Sequence, residues 1–245
     1  MIDKQITTEQ TRDVQDAIVE ARRQIDSFER QYARPSGSVA LMAVSKTKPV
    51  AMIRAAIAAG QRDFGENYLD EALLKIAELK DEPCTWHFIG QIQSNKTASI
   101  ATHFDWVHGI DREKIATRLS AQRPEELPPL ECCIQLNIDQ EASKAGITPD
   151  ELPALCQHIS QLPRLRLRGL MCIPAPRSDL QGQRDLFSEV TRAMQSAQES
   201  FPGIDTLSMG MSGDLEAAIA EGSTMVRLGT ALFGARNQGL IHNSE

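Results

Sequence analysis

The stretch Val39-Ala40-Leu41-Met42-Ala43-Val44-Ser45-Lys46 is an apolar run of strand length that ends on a lysine. The turn-forming residues Pro35-Ser36-Gly37 precede it, so a new element starts here. Seven further apolar runs follow, and longer stretches with helical spacing separate them. The eight runs begin near Val39, Asp63, Thr85, Phe104, Leu130, Leu165, Ile204 and Thr224.

Strands that alternate with helices predict right-handed βαβ units and a parallel sheet. Eight such units in 245 residues favour closure into an α/β barrel, the (β/α)₈ or TIM barrel, which commonly has about 250 residues. We therefore predict one domain over residues 1–245. An open, doubly wound sheet is the alternative topology.

An additional helix is predicted ahead of the barrel, over about residues 8–31. Thr7 and Gln10 form a capping box at its start. Another helix start is marked by Thr148 as N-cap, followed by Pro149 and Glu151. The residues that line one face of the first helix are Val14, Ala17, Ile18, Ala21 and Ile25.

The charge balance argues against nucleic acid as a partner. The formal net charge is −7 and the pI is about 5.3, whereas binding to phosphate backbones depends on clustered Lys and Arg. A hydrophobic fraction of 41% with 24% charged residues is ordinary for a soluble domain. The composition therefore predicts a globular protein with a substantial core.

The cysteines are an odd number and include no Cys-x-x-Cys pair, which predicts reduced core thiols and no metal site. The N-terminal residues lack an apolar signal core, and no apolar run is long enough to cross a bilayer. We therefore expect a cytoplasmic protein without a membrane partner. The cysteines are Cys84, Cys132, Cys133, Cys156 and Cys172.

In a parallel barrel the functional groups lie at the carboxyl ends of the strands. Strand alternation places Lys46 on the same face as Val44 and Met42, which is the interior of the barrel. Partial desolvation favours the neutral amine of such a lysine, and a neutral amine can form an imine with a carbonyl. A strand-end lysine that extends into water is the alternative. The residues predicted at strand ends are Lys46, Asn67, Gly90, Asn137, Pro174, Ser212 and Arg227.

The loops after the seventh and eighth runs have the composition of a phosphate site. Ser212 follows the seventh run and is expected to cap the next helix. Gly229-Thr230 follows the eighth run, and barrels frequently bind phosphate through these two loops. A phosphorylated ligand facing Lys46 is therefore predicted. Helix capping and tight turns alone are the alternative explanation.

Seven sequence motifs, spread over nearly the whole chain, resemble those of a known family. The chain resembles the YggS/PROSC family of pyridoxal 5′-phosphate (PLP) homeostasis proteins, whose barrel is similar to the alanine racemase N-terminal domain. The motifs are AVSKTKP (43–49), FGENY (64–68), WHFIGQIQSNK (86–96), SKAG (143–146), RGLMCIP (168–174), SMGMSGDLEAAI (208–219) and GSTMVRLGTALFGAR (222–236).

The resemblance implies a PLP site without a catalytic residue or a metal. Lys46 would form the Schiff base, and Arg227 would face the pyridine nitrogen. A guanidinium there disfavours the pyridinium form, so the ring is a weaker electron sink than one paired with Asp. The implied cofactor-binding residues are Lys46, Asn67, Met209, Ser212, Arg227, Gly229 and Thr230.

Three further residues have competing interpretations. His87 lies early in its run and is interpreted as a hydrogen-bonded core histidine rather than a ligand. Lys48 and Lys144 resemble family lysines near the barrel mouth that would accept PLP transiently. We interpret both as solvated surface lysines.

The predicted function is PLP binding for intracellular vitamin B6 homeostasis, with PLP made available to apo-enzymes, by a monomer that is not an enzyme. A PLP-dependent amino acid racemase is the main alternative. Racemases of the similar fold use a tyrosine from a second domain, which is not expected after Arg236, and the tyrosines here are Tyr32 and Tyr68. A cofactor-free Schiff-base aldolase is a third possibility, and it would lack an imine chromophore.

Overall fold

The eight strands pair in the order of the chain, each parallel to the next, and the last pairs with the first, so that the sheet closes into a barrel. The computed structural model describes residues 6–139 and 145–235. The strands are β1 (Ala40–Val44), β2 (Asp63–Glu66), β3 (Thr85–Phe88), β4 (Trp106–Ile110), β5 (Leu130–Leu136), β6 (Leu165–Cys172), β7 (Thr206–Ser208) and β8 (Met225–Leu228).

Helices surround this barrel and connect its strands. A single turn of 3₁₀-helix, Pro149–Glu151, leads into α6. The helices are α1 (Thr8–Gln31), α2 (Val50–Ala58), α3 (Leu69–Glu78), α4 (Thr97–His103), α5 (Glu113–Gln122), α6 (Leu152–Ser160), α7 (Leu180–Ser200), α8 (Leu215–Ala220) and α9 (Thr230–Phe233).

The predicted barrel is confirmed, and the open doubly wound sheet is wrong because β1 pairs with β8 along four residues. Each strand starts within two residues of its predicted position. The capping box at Thr7 and Gln10 is also present. The predicted helix start at Thr148 has its capping box, but the first turn is 3₁₀ rather than α.

The N-terminal helix α1 covers the side of the barrel where the sheet closes. It packs against α2, α8 and α9 through the predicted apolar face, in which Val14, Ile18, Ala21 and Ile25 are buried. Buried Glu29, near the end of α1, accepts hydrogen bonds from the backbone N–H groups of Gly37 and Val39. The helix therefore fixes the turn through which the chain enters β1.

Strand alternation divides the buried side chains between two regions. Residues that face outward form the main hydrophobic core between the sheet and the helices. Inside the barrel, Met42, Ile89 and Met225 form a separate apolar cluster, against which Val44 packs. The barrel is therefore filled by side chains, as is usual for this fold.

The five cysteines are free thiols, and all but half-buried Cys84 are fully buried, which confirms the prediction of reduced core thiols. Burial raises the pKa of Cys84 and Cys156 to about 11, so both are protonated and unreactive near neutral pH. In the described ranges, no three His, Cys, Asp or Glu side chains group to hold a metal ion. No helix of those ranges is long and apolar enough to span a bilayer.

Candidate ligand site at the barrel mouth

The residues predicted to bind the cofactor lie in, or shortly after, four neighbouring strands. Because the barrel closes between β8 and β1, the order around this side is β7, β8, β1, β2. All strands are parallel, so their carboxyl ends meet at one mouth. The predicted residues follow or lie within these strands, at Met209, Ser212, Arg227, Gly229, Thr230, Lys46 and Asn67.

Lys46 lies two residues after β1 and is half-buried. Met42 is in register with Arg227 of β8 and belongs to the cluster inside the barrel. The neighbouring Ser45 binds Glu66 through its hydroxyl on the opposite side of the strand. Alternation along β1 places Met42 and Val44 inside the barrel, and Lys46 lies in the turn that follows, at the mouth above this interior cluster.

Lys48 is held by the segment that follows β8. Its Nζ atom donates to the carbonyl oxygens of Phe233, Gly234 and Ala235 at 2.9, 2.8 and 2.9 Å. An ammonium group has three N–H donors, and these three bonds use all of them. The interpretation of Lys48 as a solvated surface lysine is therefore wrong: it ties the turn after β1 to the end of α9.

Arg227 is a buried cation inside the barrel. Its guanidinium donates to the hydroxyl and carbonyl oxygens of Ser208 on β7 and to the carbonyl oxygen of Cys172 on β6. Burial lowers the pKa of Arg227 from its ordinary value, but an arginine remains charged. Within residues 6–139 and 145–235 it forms no ion pair with a carboxylate, which is costly for a buried charge. Such a group suits an electron-rich ligand atom.

The two candidate phosphate loops are open to solvent. Ser212 and Thr230 are exposed and Gly229 is half-buried. The prediction that Ser212 caps the next helix is wrong, because α8 has Asp214 as its N-cap. Asp214 Oδ1 accepts from the backbone N–H of Met211 at 2.5 Å. The Ser212 hydroxyl is thus left available on the loop between β7 and α8.

Asn67 directly follows β2 and contributes a buried side-chain oxygen that has no hydrogen-bond partner among the described residues. Its Oδ1 atom accepts no hydrogen bond in the described part of the chain, and leaving such an atom unpaired costs free energy unless a ligand donor reaches it. Gly90 lies against it: a Cβ atom at Gly90 would be 2.3 Å from the Asn67 carbonyl oxygen. Glycine is therefore required after β3 for Asn67 to keep this position.

Met209 is placed differently from the other candidates. It is fully buried and belongs to the main core between sheet and helices. Its backbone N–H donates to the carbonyl oxygen of Met225. The structure brings its backbone, rather than any exposed side-chain surface, to the region of the mouth.

His87 is the hydrogen-bonded core histidine that was predicted. It is fully buried, with Nδ1 at 3.0 Å from His108 Nε2 and Nε2 at 3.1 Å from Asp63 Oδ1. Burial, and then the neighbouring His87 and Arg227, lower the pKa of His108 well below its ordinary value. His108 is therefore neutral near neutral pH, and Arg227 keeps a neutral rather than a charged neighbour.

A cluster of charged residues lies between β2, α3 and the turn after β1, and it was not predicted from the sequence. Glu66, Glu71 and Lys75 join β2 and α3 to the turn after β1. Burial raises the pKa of Glu66, against the attraction of Lys75. The available signal was the glutamate that ends the apolar run Asp63–Glu66, followed by Glu71 and Lys75 at a spacing of four on a helix. Lys144 lies outside the described residues.

The fold and the site place this chain among the barrels related to the alanine racemase N-terminal domain. The model of the family described as "Alanine racemase, N-terminal domain" matches residues 21–237. A curated relative from Pseudomonas aeruginosa, named pyridoxal phosphate homeostasis protein, is 60% identical over 84% of this chain and 88% of its own. The chain belongs to the pyridoxal phosphate homeostasis protein family.

Solved structures agree with this placement. PipY of Synechococcus elongatus, in a structure with PLP bound, is 38% identical, with a TM-score of 0.79, and the match covers 90% of this chain and all of that one. An alanine racemase from Corynebacterium glutamicum shares the fold at 18% identity and a TM-score of 0.65. That match covers 94% of this chain and 64% of the racemase chain.

Proposed function

We propose that the protein binds PLP at the barrel mouth, as a Schiff base on Lys46, and serves vitamin B6 homeostasis. The observation that carries the proposal is the convergence of an amine, a buried guanidinium and two hydroxyl-bearing loops on adjacent strands. PLP presents an aldehyde, a pyridine nitrogen and a phosphate, which match these three kinds of group. The name of the Pseudomonas aeruginosa relative and the PLP-bound PipY structure support the same ligand.

In the proposed site each residue has one task. Lys46 supplies the amine for the aldehyde. Arg227 lies toward the ring nitrogen. Asn67 lines the ring, and Met209 does so through its backbone, because its side chain is buried in the main core. The hydroxyls of Ser212 and Thr230 bind the phosphate, with Gly229 allowing a close approach of the backbone. When bound, PLP supplies an electron sink, which a permanently charged Arg227 weakens.

The site supports a carrier that makes PLP available to apo-enzymes in the cytoplasm. We propose a monomer without enzymatic turnover, with neither nucleic acid nor membrane as a partner. Exposed Ser212 and Thr230 leave the phosphate end open to solvent, which favours exchange of the cofactor. The racemase remains the second candidate because the fold is shared with alanine racemase.

An absorption spectrum of the purified protein with added PLP tests the proposed function. We expect a visible Schiff-base band that disappears on borohydride reduction, with the pyridoxyl mass then retained by the denatured chain. A protein that gives neither the band nor the reduced adduct would not be a PLP carrier, and the cofactor-free aldolase would then explain the barrel lysine better.

Replacing Ser212 with alanine should weaken PLP binding. Loss of one hydrogen bond to a charged phosphate costs about 1 to 3 kcal/mol, which corresponds to a rise in Kd of roughly 5- to 150-fold. Fluorescence titration with PLP measures this change. Exposed Ser196 on α7 provides a matched Ser→Ala control, and equal Kd values for the two variants would remove Ser212 from the site.

A further inference from the structure

The turn that carries Lys46 contains a strained residue. Thr47 has a φ of 64°, in the left-handed region that a β-branched side chain disfavours. The only other described residue besides glycine with positive φ is Ala33. Strain of this kind persists where surrounding contacts determine the backbone, and it often accompanies a functional site. The residue next to Lys46 is therefore held in place by its neighbours.

Charged side chains hold the backbone on both sides of Lys46. After it, the N–H group of Thr47 donates to Glu71 Oε1 at 2.6 Å. Before it, the Ser45 carbonyl oxygen accepts from Lys75 Nζ at 2.7 Å, and the Ser45 hydroxyl donates to Glu66 Oε1 at 2.6 Å. Lys46 is thus flanked by Ser45 and Thr47, whose polar groups are held by hydrogen bonds to charged side chains.

The three charged residues form one unit, called here the brace (Glu66, Glu71 and Lys75). Lys75 Nζ lies 2.7 Å from Glu66 Oε1 and 2.5 Å from Glu71 Oε1, and the side chains of Lys75 and Glu66 are 5% and 0% exposed. Buried ion pairs of this kind often stabilise a fold no better than apolar residues of similar volume. Helix α3 could therefore pack on β2 without them, and the contacts to Ser45 and Thr47 distinguish the brace from simple packing.

We propose that Glu66, Glu71 and Lys75 are positioning residues that orient the Lys46 amine at the barrel mouth. The brace contacts Ser45 on the outer side of the sheet, and alternation then directs Lys46 inward. The left-handed Thr47 turns the chain immediately after the lysine. This inference rests on the proposed function, because it assigns the brace a role in PLP binding by Lys46.

The Glu71→Ala variant tests the brace with limited damage to the fold, since the Glu66–Lys75 pair remains. We expect the Kd for PLP to rise by about tenfold, as for loss of one charge-assisted hydrogen bond. We also expect slower formation of the Schiff-base band in stopped-flow absorbance. A merely structural residue would lower the unfolding midpoint and leave both ligand measurements unchanged.

Glu29→Ala is the matched control because Glu29 holds the other end of β1. It accepts from the N–H groups of Gly37 and Val39 and from the Ser38 hydroxyl, so its loss removes more hydrogen bonds to a turn than the loss of Glu71 does. Glu29→Ala should lower the unfolding midpoint at least as much. Its Kd for PLP should stay within about twofold of the parent value.

A second substitution separates positioning from stability. Asn adopts left-handed backbone more readily than Thr, so Thr47→Asn in the Glu71→Ala background should recover at least threefold of the lost PLP affinity. Unchanged PLP binding in Glu71→Ala, or no recovery on adding Thr47→Asn, would overturn the brace proposal while the parent still forms the Schiff base. A parent protein that forms none would overturn the proposed function and the brace together.

Discussion

Borohydride reduction of the PLP-loaded protein should place the pyridoxyl group on Lys46, and Lys46→Ala should reduce the labelled fraction to below about a tenth of the parent value. Lys46 is the lysine that follows β1 at the mouth, next to β8, which carries Arg227 and is followed by Thr230. The amine of Lys48, in contrast, is committed to three carbonyl oxygens.

Peptide mapping by mass spectrometry measures the distribution of the label over all lysines. Lys48→Met provides the control, because it removes the neighbouring amine and leaves Lys46 in place. In Lys48→Met we expect the pyridoxyl label to remain on Lys46. PLP should be retained more weakly, because the contact between residue 48 and the end of α9 is lost. A label found chiefly on Lys48 or Lys144 in the parent protein would refute the assignment.

The PLP-loaded protein should not racemise or transaminate amino acids at an enzymatic rate, meaning a kcat on the order of 1 s⁻¹ or above. Arg227 is fixed by Ser208 and Cys172 inside the barrel, and a guanidinium opposite the ring nitrogen limits stabilisation of a carbanion. Racemisation also requires an acid on the opposite face of the substrate. Of the two tyrosines, Tyr32 donates its hydroxyl hydrogen to Glu216, and Tyr68 is half-exposed at the mouth.

Chiral analysis of alanine, serine and a wider amino acid panel in deuterated buffer is the measurement, because racemisation leaves deuterium at the α-carbon. Lys46→Ala and Tyr68→Phe are the informative variants. Turnover in the parent that Lys46→Ala abolishes would replace the carrier by a racemase. If the parent turns over, loss of that turnover in Tyr68→Phe would identify Tyr68 as the acid on the opposite face of the substrate.

The secondary structure of the barrel was predictable because it depends on local patterns. Apolar runs located the starts of all eight strands to within two residues. Each capping box, at Thr7 and at Thr148, is specified by four consecutive residues. The wrong prediction that Ser212 caps α8 also has a local cause. Asp214, two residues on, competes for the same role and is the N-cap of α8.

The candidate site was predictable only as far as strand ends could be identified. Lys46, Asn67, Ser212 and Thr230 follow from the rule that function lies at the carboxyl ends of barrel strands. Arg227 was placed at the end of its run, whereas it lies within β8 and is 4% exposed. Its partners Ser208 and Cys172 come from two other strands, and no spacing along the chain indicates them.

By itself, the sequence determined the order and type of the elements, the lysine at the end of the first strand and the motifs of the family. These features depend on periodicity, capping and residue identity, which act over a few residues. Only the tertiary structure decided that β8 closes on β1 and that Arg227 is buried with no carboxylate partner among the described residues. The same holds for the contacts by which Glu66, Glu71 and Lys75 hold the turn around Lys46. Those arrangements depend on strand register and barrel closure, because only closure brings groups that are distant along the chain within hydrogen-bonding distance.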